Sequence, residues 1–500
     1  MSRFPLRRHP HLYEINTYAW LEGLSVKLGR SILLSDVPDS EWDTIVEMGF
    51  DIVWLMGIWQ RSPVSQKLSQ QAPSHYAGYN AALPGWTPDD IVGSPYSVRQ
   101  YEPDSRIGSW GDVDFVRGRL HERKMALFLD FVGNHTALDH PWLCDHPEYY
   151  VQGCQQDFDK DRSSFYKIDT VRGPVYVAYG KDPYFPAWND VAQLNHFSPE
   201  MRVAQLAELK RIASHCDGVR CDMAMLQLNE IFEKIWRPHI GGIKAPAKEF
   251  WAEAKSAVPD FILLAEAYWG TEGRLIDLGF DFVYDKGLYD SVRDEKTGDI
   301  HWRLSRPEAE QSHLARFLEN HDEQRFAAVF GDDRFKAVAT LVGTLPGMRF
   351  YQQGEELGIK LRTPIELRRI ADQPVDPGRM EFFAKLLAGT RDNVFHTGQW
   401  TVLRITRDNE PTEGNLFAYE WRSNKSWKVI IANLSSETAQ GRIHLSDGVD
   451  LDSAYNFNDQ LGGATYIREG AEIAQQGLFV RRDAYHAHLF DVTPIAAKRD

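Results

Sequence analysis

Much that would point to a membrane, a nucleic acid or an exported scaffold is missing from this 500-residue sequence. No segment approaches the roughly 20 consecutive apolar residues that a membrane span needs, so we expect no membrane partner. The first residues contain no apolar run of the kind that forms a secretory signal, so we expect a cytoplasmic protein. The formal net charge is −15. Because an acidic surface repels phosphate backbones, we expect no nucleic-acid partner either.

Cysteine is also scarce, with only four residues: Cys144, Cys154, Cys216 and Cys221. Their spacing does not match the paired motifs of zinc sites, and without an export signal we expect reduced thiols. A disulfide between Cys144 and Cys154 is the alternative. The sequence also contains no G-x-G-x-x-G and no G-x-x-x-x-G-K-[ST] motif, which disfavours a dehydrogenase and a phosphate-binding barrel.

Aromatic residues, in contrast, are plentiful: they make up 12% of the chain, which contains 15 Trp. The apolar faces of sugar rings stack on aromatic side chains, so this composition fits a carbohydrate ligand, although packing explains any single Trp equally well. A chain of this length contains two to four domains at roughly 150 residues per domain, although a single barrel can exceed about 250 residues.

Short apolar runs alternate with longer amphipathic segments. The runs that we interpret as strands are residues 12–16, 51–55, 126–131, 218–221, 261–265, 281–284, 313–318 and 348–351. Most are almost continuously apolar, as parallel strands covered on both faces must be. Residues 199–214 are typical of the helices between them, with Ser198 as N-cap and with Val203, Leu206, Leu209, Ile212 and Ala213 on one face. Eight such alternations predict an α/β protein with a (β/α)8 TIM barrel.

Two regions depart from this alternation. Between residues 137 and 196 the chain is rich in Pro, Gly, Tyr and Asp, and a structureless loop of that length is improbable in a compact domain. Beyond residue 392, short alternating segments and turn signals indicate an antiparallel β-sandwich. We therefore predict residues 1–136 as the first part of the barrel with strands 1–3, 137–196 as an inserted domain, 197–391 as strands 4–8, and 392–500 as the sandwich.

Polar residues follow the predicted strands at the end where barrel enzymes have their active sites. They are Asp130 at the end of strand 3 with Asn134 and His135 after it, Arg220 at the end of strand 4 with Asp222 after it, Glu266 after strand 5, and His321 and Asp322 after strand 7. A barrel does not need these residues for stability, and buried charges are costly unless they are paired. A functional site is therefore the simplest explanation.

These segments also resemble a known family. LFLDFVGNH (127–135), GVRCD (218–222), LLAEAYWG (263–270) and FLENHDEQR (317–325) are similar, in the expected order, to the four signature regions of the α-amylase superfamily, glycoside hydrolase family 13. AQLN (192–195), PGMRFYQQGEELG (346–358) and GSPY (93–96) extend the resemblance to about residues 10–360. It implies that the inserted region is the family's domain B and that the C-terminal sandwich is its domain C.

The resemblance makes Asp222 the catalytic nucleophile and Glu266 the general acid/base of a retaining mechanism, in which the two carboxyl groups lie about 5–5.5 Å apart. Arg220 precedes Asp222 by two residues, so both side chains should leave the strand on one face, where the guanidinium would keep Asp222 ionised. Desolvation and neighbouring carboxylates should raise the pKa of Glu266, which suits an acid.

The remaining roles are also implied by the resemblance. Asp322 would be the third catalytic carboxylate and would bind and distort the sugar ring. His135 and His321 would bind sugar hydroxyls, and Tyr96 would stack on the ring. Asp130 would orient its neighbours, with a purely structural pairing to Arg220 as the alternative. Arg220 and Trp269 complete the predicted substrate-binding residues, and for Trp269 simple packing is an equal alternative to a sugar platform.

Two positions limit what the resemblance implies. Many α-amylases carry Lys and His at the third and fourth positions after the nucleophile, where they hold sugar units on the leaving-group side, but here these positions are Met225 and Leu226. We therefore expect short oligosaccharides or glucosides with an unusual aglycone rather than long polymers. Asn134 matches a family calcium ligand; no cofactor is expected to be required, and Ca²⁺ bound through Asn134 is an open alternative.

The sequence therefore predicts a retaining glycoside hydrolase that cleaves α-glucosidic bonds in α-glucans, short oligosaccharides or α-glucosides. A transglycosylase of the same family is the first alternative, since a sugar hydroxyl can replace water as the acceptor. A non-catalytic carbohydrate-binding protein is a remote one. The sequence does not give the bond type (α-1,4, α-1,6 or α-1,1), the chain length, endo or exo action, or the oligomeric state.

Overall fold

The computed structural model describes residues 3–170, 173–446 and 448–495, and a closed barrel of eight parallel strands lies at its centre. The strands, numbered in chain order, are barrel strands 1 (His11–Asn16), 2 (Ile52–Met56), 3 (Ala126–Phe131), 4 (Gly218–Cys221), 5 (Ile262–Ala265), 6 (Phe282–Tyr284), 7 (Leu314–Arg316) and 8 (Met348–Gln352). Each strand pairs with the next in the chain, and strand 8 pairs with strand 1 to close the ring. The predicted α/β barrel is confirmed, and every predicted strand end lies within two residues of the observed one.

The strands were predictable because the barrel buries both of their faces. Strand 2 (IVWLM) is buried at all five positions, and strand 3 (ALFLDF) at all six. Continuous apolar runs of this kind are the signature of parallel strands covered by helices on the outside and by their own side chains on the inside. The polar residues at the ends of these runs are therefore exceptions that need a separate explanation.

Helices cover the outside of the barrel. The longer ones are Thr17–Leu28, Asp39–Glu47, Trp110–Glu122, Pro199–Ala213, Asn229–Trp236, Phe250–Ala257, Lys286–Arg293, Thr297–Leu304, Gly331–Thr344 and Pro377–Thr390. The shorter ones are Glu272–Asp277, Glu308–Gln311, Phe326–Val329 and Val394–Thr397, with 3₁₀ turns at Leu34–Asp36, Ala224–Gln227 and Arg237–His239. Most connect one barrel strand to the next, as the predicted alternation requires.

The helix Pro199–Ala213 begins as predicted, but its buried face differs from the prediction. Ser198 caps it by accepting a hydrogen bond from the Met201 amide at 3.3 Å. Leu209 and Ile212 are buried as expected, whereas Val203 is 68% exposed. The face that packs on the barrel instead includes Met201, so the inclusion of Val203 in the apolar stripe was wrong.

Two excursions leave the barrel on its carboxyl-terminal side. The loop after strand 2 forms helices Pro63–Gln70 and Pro73–Ala82, a 3₁₀ turn at Pro88–Asp90, and a hairpin of Trp59–Arg61 with Val98–Pro103. Between strands 3 and 4, an antiparallel sheet is formed by His135–Ala137, Gln152–Gly153, Phe165–Thr170, Gly173–Gly180 and Trp188–Gln193. Short helical segments at Trp142–Asp145, Pro147–Tyr149 and Gln155–Lys160 accompany this sheet.

The C-terminal part is a β-sandwich, as predicted. One sheet contains Gln399–Val402, Leu416–Arg422, Trp427–Asn433, Ala454–Asp459, Thr465–Glu469 and Ala487–Ile495, and the other contains Arg404–Thr406, Ala439–His444 and Leu478–Arg482. A 3₁₀ turn (Glu413–Asn415) and a helix (Gly470–Gln476) connect strands. Val429 and Ile431 of the first sheet share an apolar core with Ile443 and Val480 of the second.

The helix Gly331–Thr344 is one of the barrel elements that contact the sandwich. Tyr419 donates a hydrogen bond to the Leu341 carbonyl at 2.8 Å, and the Trp421 indole donates to the Thr344 carbonyl at 2.8 Å. Both carbonyls belong to the helix Gly331–Thr344. Among the described residues, none of the helices combines the length and the apolar character that crossing a bilayer would require.

The four cysteines are all free thiols in the structure. Cys144 and Cys154 are exposed, whereas Cys216 and Cys221 are buried. The alternative of a disulfide between the first two therefore finds no support.

Candidate active site

A cavity of about 790 Å³ opens at the carboxyl-terminal ends of the barrel strands. It is lined by Leu68, Ser69, Ala72, Ser74, His75, Ser94, Tyr96, His135, Asp182, Phe185, Ala187, Trp188, Asn189, Asp190, Val191, Asp222, Met223, Glu266, Tyr268, Asp322 and Glu366. All three predicted catalytic carboxylates line this cavity, together with Tyr96 and His135. The sequence analysis missed Asp190, Tyr268 and Glu366, because nothing in their local pattern marks them as neighbours of the strand ends.

Arg220 connects the three carboxylates. Its Nη1 lies 2.6 Å from Oδ1 of Asp222, and its Nη2 lies 2.8 Å from Oε2 of Glu266 and 3.9 Å from Oδ2 of Asp322. The guanidinium is completely buried. Strands 4 and 5 are adjacent in the barrel, with Cys221 paired to Ala265, so the residues that follow them emerge side by side. The single positive charge of Arg220 is therefore shared among three carboxyl groups.

Aromatic rings fix the position of this guanidinium. The central carbon of Arg220 lies 5.6 Å from the ring centroid of Trp54, 5.1 Å from that of Tyr96 and 5.7 Å from that of Tyr284. Cation–π contacts favour arginine, whose planar charge is weakly hydrated, over lysine. The rings hold Arg220 in place while its N–H groups remain directed at the carboxylates.

Glu266 has the environment that the sequence predicted for an acid. Tyr268 donates a hydrogen bond to its Oε1 at 2.7 Å, and the Met223 amide donates to its Oε2 at 2.6 Å. Burial, opposed by the charge of Arg220 and reinforced by the charges of Asp222 and Asp322, raises the pKa of Glu266 to about 7. The carboxyl group can therefore carry a proton near neutral pH.

Asp222 departs from the expectation in one respect. Its carboxylate contacts Arg220 as predicted, but its pKa is raised from the ordinary value, because burial outweighs the stabilising charge of the guanidinium. Two neighbouring carboxylates that compete for one cation cannot both be fully stabilised. Arg220 reduces the cost of ionising Asp222 rather than removing it.

Asp322 and His321 form a charged pair supported by a residue that the sequence analysis missed. His321 Nε2 lies 3.0 Å from Oδ2 of Asp322, and its Nδ1 lies 2.5 Å from Oε1 of Glu14, which is fully buried on strand 1. Burial would lower the pKa of His321, but Asp322 and Glu14 raise it to about 10. Burial would raise the pKa of Asp322, but His321 lowers it to about 2. His321 is thus an imidazolium and Asp322 a carboxylate.

Tyr96 and His135 form one wall of the cavity. The Tyr96 hydroxyl lies 2.8 Å from Nε2 of His321, and the two rings stack with centroids 5.2 Å apart. His135 Nε2 lies 3.2 Å from the Tyr96 carbonyl oxygen, and burial lowers the pKa of His135 to about 4, so it is neutral. The ring of Trp188, from the inserted sheet, lies 5.5 Å from His135.

Asp130 is buried with both of its carboxylate oxygens engaged by the protein. Oδ2 accepts the Gly57 amide at 2.7 Å, and Oδ1 accepts the Trp54 indole at 3.2 Å. Burial raises the pKa of Asp130 to about 6, against the charge of Arg220. Since Asp130 holds the ring that contacts Arg220, its position fits a role in orienting neighbours, and its hydrogen bonds do not include the direct pairing to Arg220 considered above.

Two non-glycine residues with left-handed backbone flank the carboxylates. Met223 (φ 42°) follows Asp222, and Trp269 (φ 63°) follows Tyr268. Such conformations cost on the order of 1–3 kcal/mol and persist where the surroundings enforce them. The Trp269 ring is 41% exposed and contacts Tyr184 with centroids 5.0 Å apart. This position is compatible with both alternatives for Trp269, a sugar platform and simple packing against Tyr184.

Met225 and Leu226, by contrast, are fully buried in the 3₁₀ turn Ala224–Gln227. They present no hydrogen-bonding group to a ligand. The hydrogen-bonding side chains that the family often carries at these two positions therefore have no counterpart in this structure.

The surroundings of Asn134 do not fit a calcium ion. Its side chain exchanges hydrogen bonds with the Gln193 amide at 3.0 and 3.3 Å, and its Nδ2 lies 3.3 Å from His135. Calcium prefers six to eight oxygen ligands that include carboxylates. Within residues 3–170, 173–446 and 448–495, no group of three or more His, Cys, Asp or Glu side chains could hold a metal ion.

Comparisons with known proteins show similarity to α-amylases and related enzymes. The model of the alpha-amylase catalytic domain matches residues 293–404. "Alpha-amylase 3" of Dictyoglomus thermophilum is 26% identical over 54% of this chain and 54% of its own length. A 4-alpha-glucanotransferase of Thermotoga maritima is 23% identical over 63% of this chain and 65% of its own length. The chain thus spans about half of the first relative and about two thirds of the second.

Solved structures share the fold over almost the whole chain. The crystal structure of a maltogenic alpha-amylase from Thermotoga neapolitana matches with a TM-score of 0.67 and 18% identity, over 97% of this chain and 98% of that one. At this identity the match concerns the fold alone. It extends from the barrel through the inserted sheet to the C-terminal sandwich.

Proposed function

We propose that this chain, which is similar to proteins of the α-amylase family, is a retaining glycoside hydrolase that cleaves α-glucosidic bonds in short oligosaccharides, α-glucosides or α-glucans. The observation that carries the proposal is the shared contact of Asp222 and Glu266 with one buried guanidinium at the base of an open cavity. Two carboxyl groups, one ionised and one able to hold a proton near pH 7, are what acetal cleavage with retention needs.

In the first step, a carboxylate oxygen of Asp222 attacks the anomeric carbon and forms a covalent bond to it. The bond from that carbon to the leaving oxygen breaks, and Glu266 gives its proton to this oxygen. Arg220 stabilises both carboxylates as their charges change. Asp322, ionised and paired with His321, is suited to bind the hydroxyls of the distorted ring.

In the second step, Glu266 is a carboxylate and removes a proton from a water molecule. The water oxygen attacks the anomeric carbon, the bond to Asp222 breaks, and the sugar leaves with its original α configuration. The raised pKa of Glu266 supports both roles, because a group with a pKa near the working pH can both donate and accept a proton.

The test is a panel of α-1,4-, α-1,6- and α-1,1-linked glucosides, with NMR following the anomeric signals of the product. We expect the α-anomer to be released first, before mutarotation. Release of the β-anomer first would contradict the retaining mechanism. No turnover on any member of the panel, with sugar binding intact, would favour a carbohydrate-binding protein.

A transglycosylase is the second candidate, and the apolar leaving-group side favours it. Met225 and Leu226 are buried, and Trp269, which follows the cavity residue Tyr268, is exposed, so an acceptor bound against it would displace water there. Product analysis at high substrate concentration separates the two activities. Glucose equivalents indicate hydrolysis, whereas longer or isomeric saccharides indicate transfer.

Three further properties remain predictions. We propose a cytoplasmic location, which fractionation of the native cells would test. We assign no step to calcium, and unchanged activity and melting temperature after chelation would agree with this. The oligomeric state is open, and light scattering would determine it.

A further inference from the structure

Three exposed aromatic side chains lie on segments beside the cavity, and we call them the aromatic rim: Tyr184, Phe185 and Trp269. They are 64%, 69% and 41% exposed. Tyr184 and Trp269 meet edge to face across the gap between the inserted region and the loop after strand 5. Phe185 itself lines the cavity. Large apolar side chains grouped on a surface commonly indicate a binding site.

Both parts of the rim are held in position by the backbone. Asp182 Oδ1 accepts the amides of Tyr184 at 2.6 Å and Phe185 at 3.0 Å, which fixes the turn that carries both rings. Trp269 has a left-handed backbone, which is costly for a bulky residue. A conformation that keeps a Trp side chain in solvent at the expense of strain points to a ligand that uses it.

The rim lies on the leaving-group side of the scissile bond. Tyr268, the neighbour of Trp269, donates its hydroxyl to Glu266. In the proposed mechanism Glu266 protonates the leaving oxygen, so the groups beside it adjoin the leaving group rather than the donor sugar. Met223, which also lines the cavity, adds a thioether to the same side.

The chemistry of this side differs from that of the donor side. The donor side offers Asp322, His321, His135 and Tyr96, which can bind hydroxyl groups. The leaving-group side offers aromatic rings and a thioether, and Met225 and Leu226 are buried where hydrogen-bonding residues could have been. Asp182 also lines the cavity beside Phe185, but its Oδ1 already accepts two backbone amides. A sugar with several hydroxyl groups would find few partners there and would lose hydrogen bonds to water.

From this contrast we propose that the aromatic rim is a binding site for an apolar, aromatic aglycone, and that the preferred substrates are α-glucosides of aryl-bearing alcohols rather than oligosaccharides. This inference rests on the proposed function and names its substrate class. The aglycone ring would pack against Trp269 and Phe185 while the donor glucose occupies the polar side.

The experiment compares kcat/KM for benzyl α-glucoside, methyl α-glucoside and maltose. Benzyl alcohol and methanol are leaving groups of similar acidity, so their ratio reports binding of the ring rather than bond activation. Burial of a phenyl group against the rim should make the benzyl substrate about tenfold better than the methyl one. The benzyl substrate should also exceed maltose.

The variants are Phe185→Ala, Tyr184→Ala and Trp269→Ala, with Phe115→Ala as the control. Phe115 is a similarly exposed phenylalanine (52%) on the outer helix Trp110–Glu122. The benzyl-to-methyl ratio should fall toward one in the rim variants and stay unchanged in the control. Phe185→Ala and Tyr184→Ala retain the backbone turn at Asp182, so they test the rim even if Trp269→Ala perturbs its strained loop.

Each outcome decides the proposal. A wild-type ratio near one, a ratio unaffected by Phe185→Ala and Tyr184→Ala, or a preference for maltose over the benzyl substrate would overturn it. If none of the three substrates is cleaved, the aromatic-aglycone site is overturned, and turnover on the wider panel of α-1,4-, α-1,6- and α-1,1-linked glucosides decides separately whether the proposed function stands. Cleavage of methyl α-glucoside or maltose without a benzyl preference leaves the proposed function standing and removes only the aromatic-aglycone site.

Discussion

The two ends of the barrel both bury carboxylates, but they balance the charge in opposite ways. At the amino-terminal end, Asp217 contacts Arg117 at 2.7 Å and His121 at 2.8 Å, and it also accepts the Leu127 amide at 2.9 Å. Asp51 is held in the same way, with its own arginine and a strand amide. Each of these carboxylates is paired with a cation of its own and also accepts the backbone amide of a barrel-strand residue.

At the carboxyl-terminal end, three carboxylates share the charge of Arg220, and only Asp322 has a second cation, His321. Burial raises the pKa of both Glu266 and Asp222, and the one guanidinium that they share offsets this rise only in part. A carboxylate that is fully paired with a cation stabilises the fold, but its compensated charge makes it a poor proton acceptor and a poor nucleophile. The comparison teaches that incomplete charge compensation, rather than the presence of carboxylates, distinguishes the candidate site.

The largest effect should come from Asp222→Asn. The amide keeps the shape of the side chain but cannot form the glycosyl bond, so kcat should fall by roughly 10⁴-fold or more. Steady-state kinetics on a cleavable α-glucoside measure this, with thermal melting as a control for an intact fold. A variant that retains most of its turnover would remove Asp222 from the nucleophile role.

Glu266→Gln should lower kcat/KM by roughly 10²–10⁴-fold for substrates with a poor leaving group, because it removes the proton donor. In the wild type, kcat/KM should decline as the pH rises above about 7, since the raised pKa of Glu266 means that its proton is lost there. The variant should lack this decline and should recover on substrates whose leaving group needs no proton. An unchanged pH profile would show that another group is the acid.

Glu14→Gln should have an intermediate effect, because Glu14 acts through His321. Without the carboxylate, the pKa of His321 should fall from about 10, since Asp322 alone then supports the imidazolium beside Tyr96 and Arg220. A weakened charged hydrogen bond should reduce kcat/KM about tenfold, and the loss should grow as pH rises and His321 loses its proton. Measuring kcat and KM across pH tests this, and Glu14→Asp should restore part of the activity.

The smallest effect on turnover should come from Asp217→Ala, at the opposite end. Its removal leaves Arg117 without its carboxylate in a partly buried position, so the free energy of unfolding should fall by about 3–5 kcal/mol. The folded fraction should keep its kcat within about twofold, because Asp217 is remote from the cavity. Urea unfolding and active-site titration separate the two quantities. A large loss of kcat in fully folded protein would contradict the division of roles between the two ends.

The barrel was predictable because its rules are local. A strand buried on both faces must be apolar along its length, so strands 2 and 3 can be recognised from the sequence alone. The buried apolar face of the helix Pro199–Ala213 was less predictable than the strands. Apolar residues at helical spacing do not reveal how far the buried arc extends, and Val203 lies outside it.

The candidate site was predictable where its residues follow strands and match known segments. Glu14 could not be found in this way, because its partner His321 lies 307 residues away and only closure of the barrel between strands 1 and 8 brings them together. The direction in which the pKa of Asp222 shifts could not be predicted from the sequence either. Whether burial or Arg220 dominates depends on how completely water is excluded and on which other carboxylates compete.

The docking of the sandwich on the helix Gly331–Thr344 restricts how this protein could be recombined with others. Almost every residue from Ala337 to Thr344 is inaccessible to solvent, and two of its carbonyl groups are hydrogen-bonded by Tyr419 and Trp421. In a chain cut near residue 391, these two carbonyl groups would lose their hydrogen-bond donors from the sandwich. A chimaera that combines this barrel with another protein would therefore have to keep both sides of this junction together.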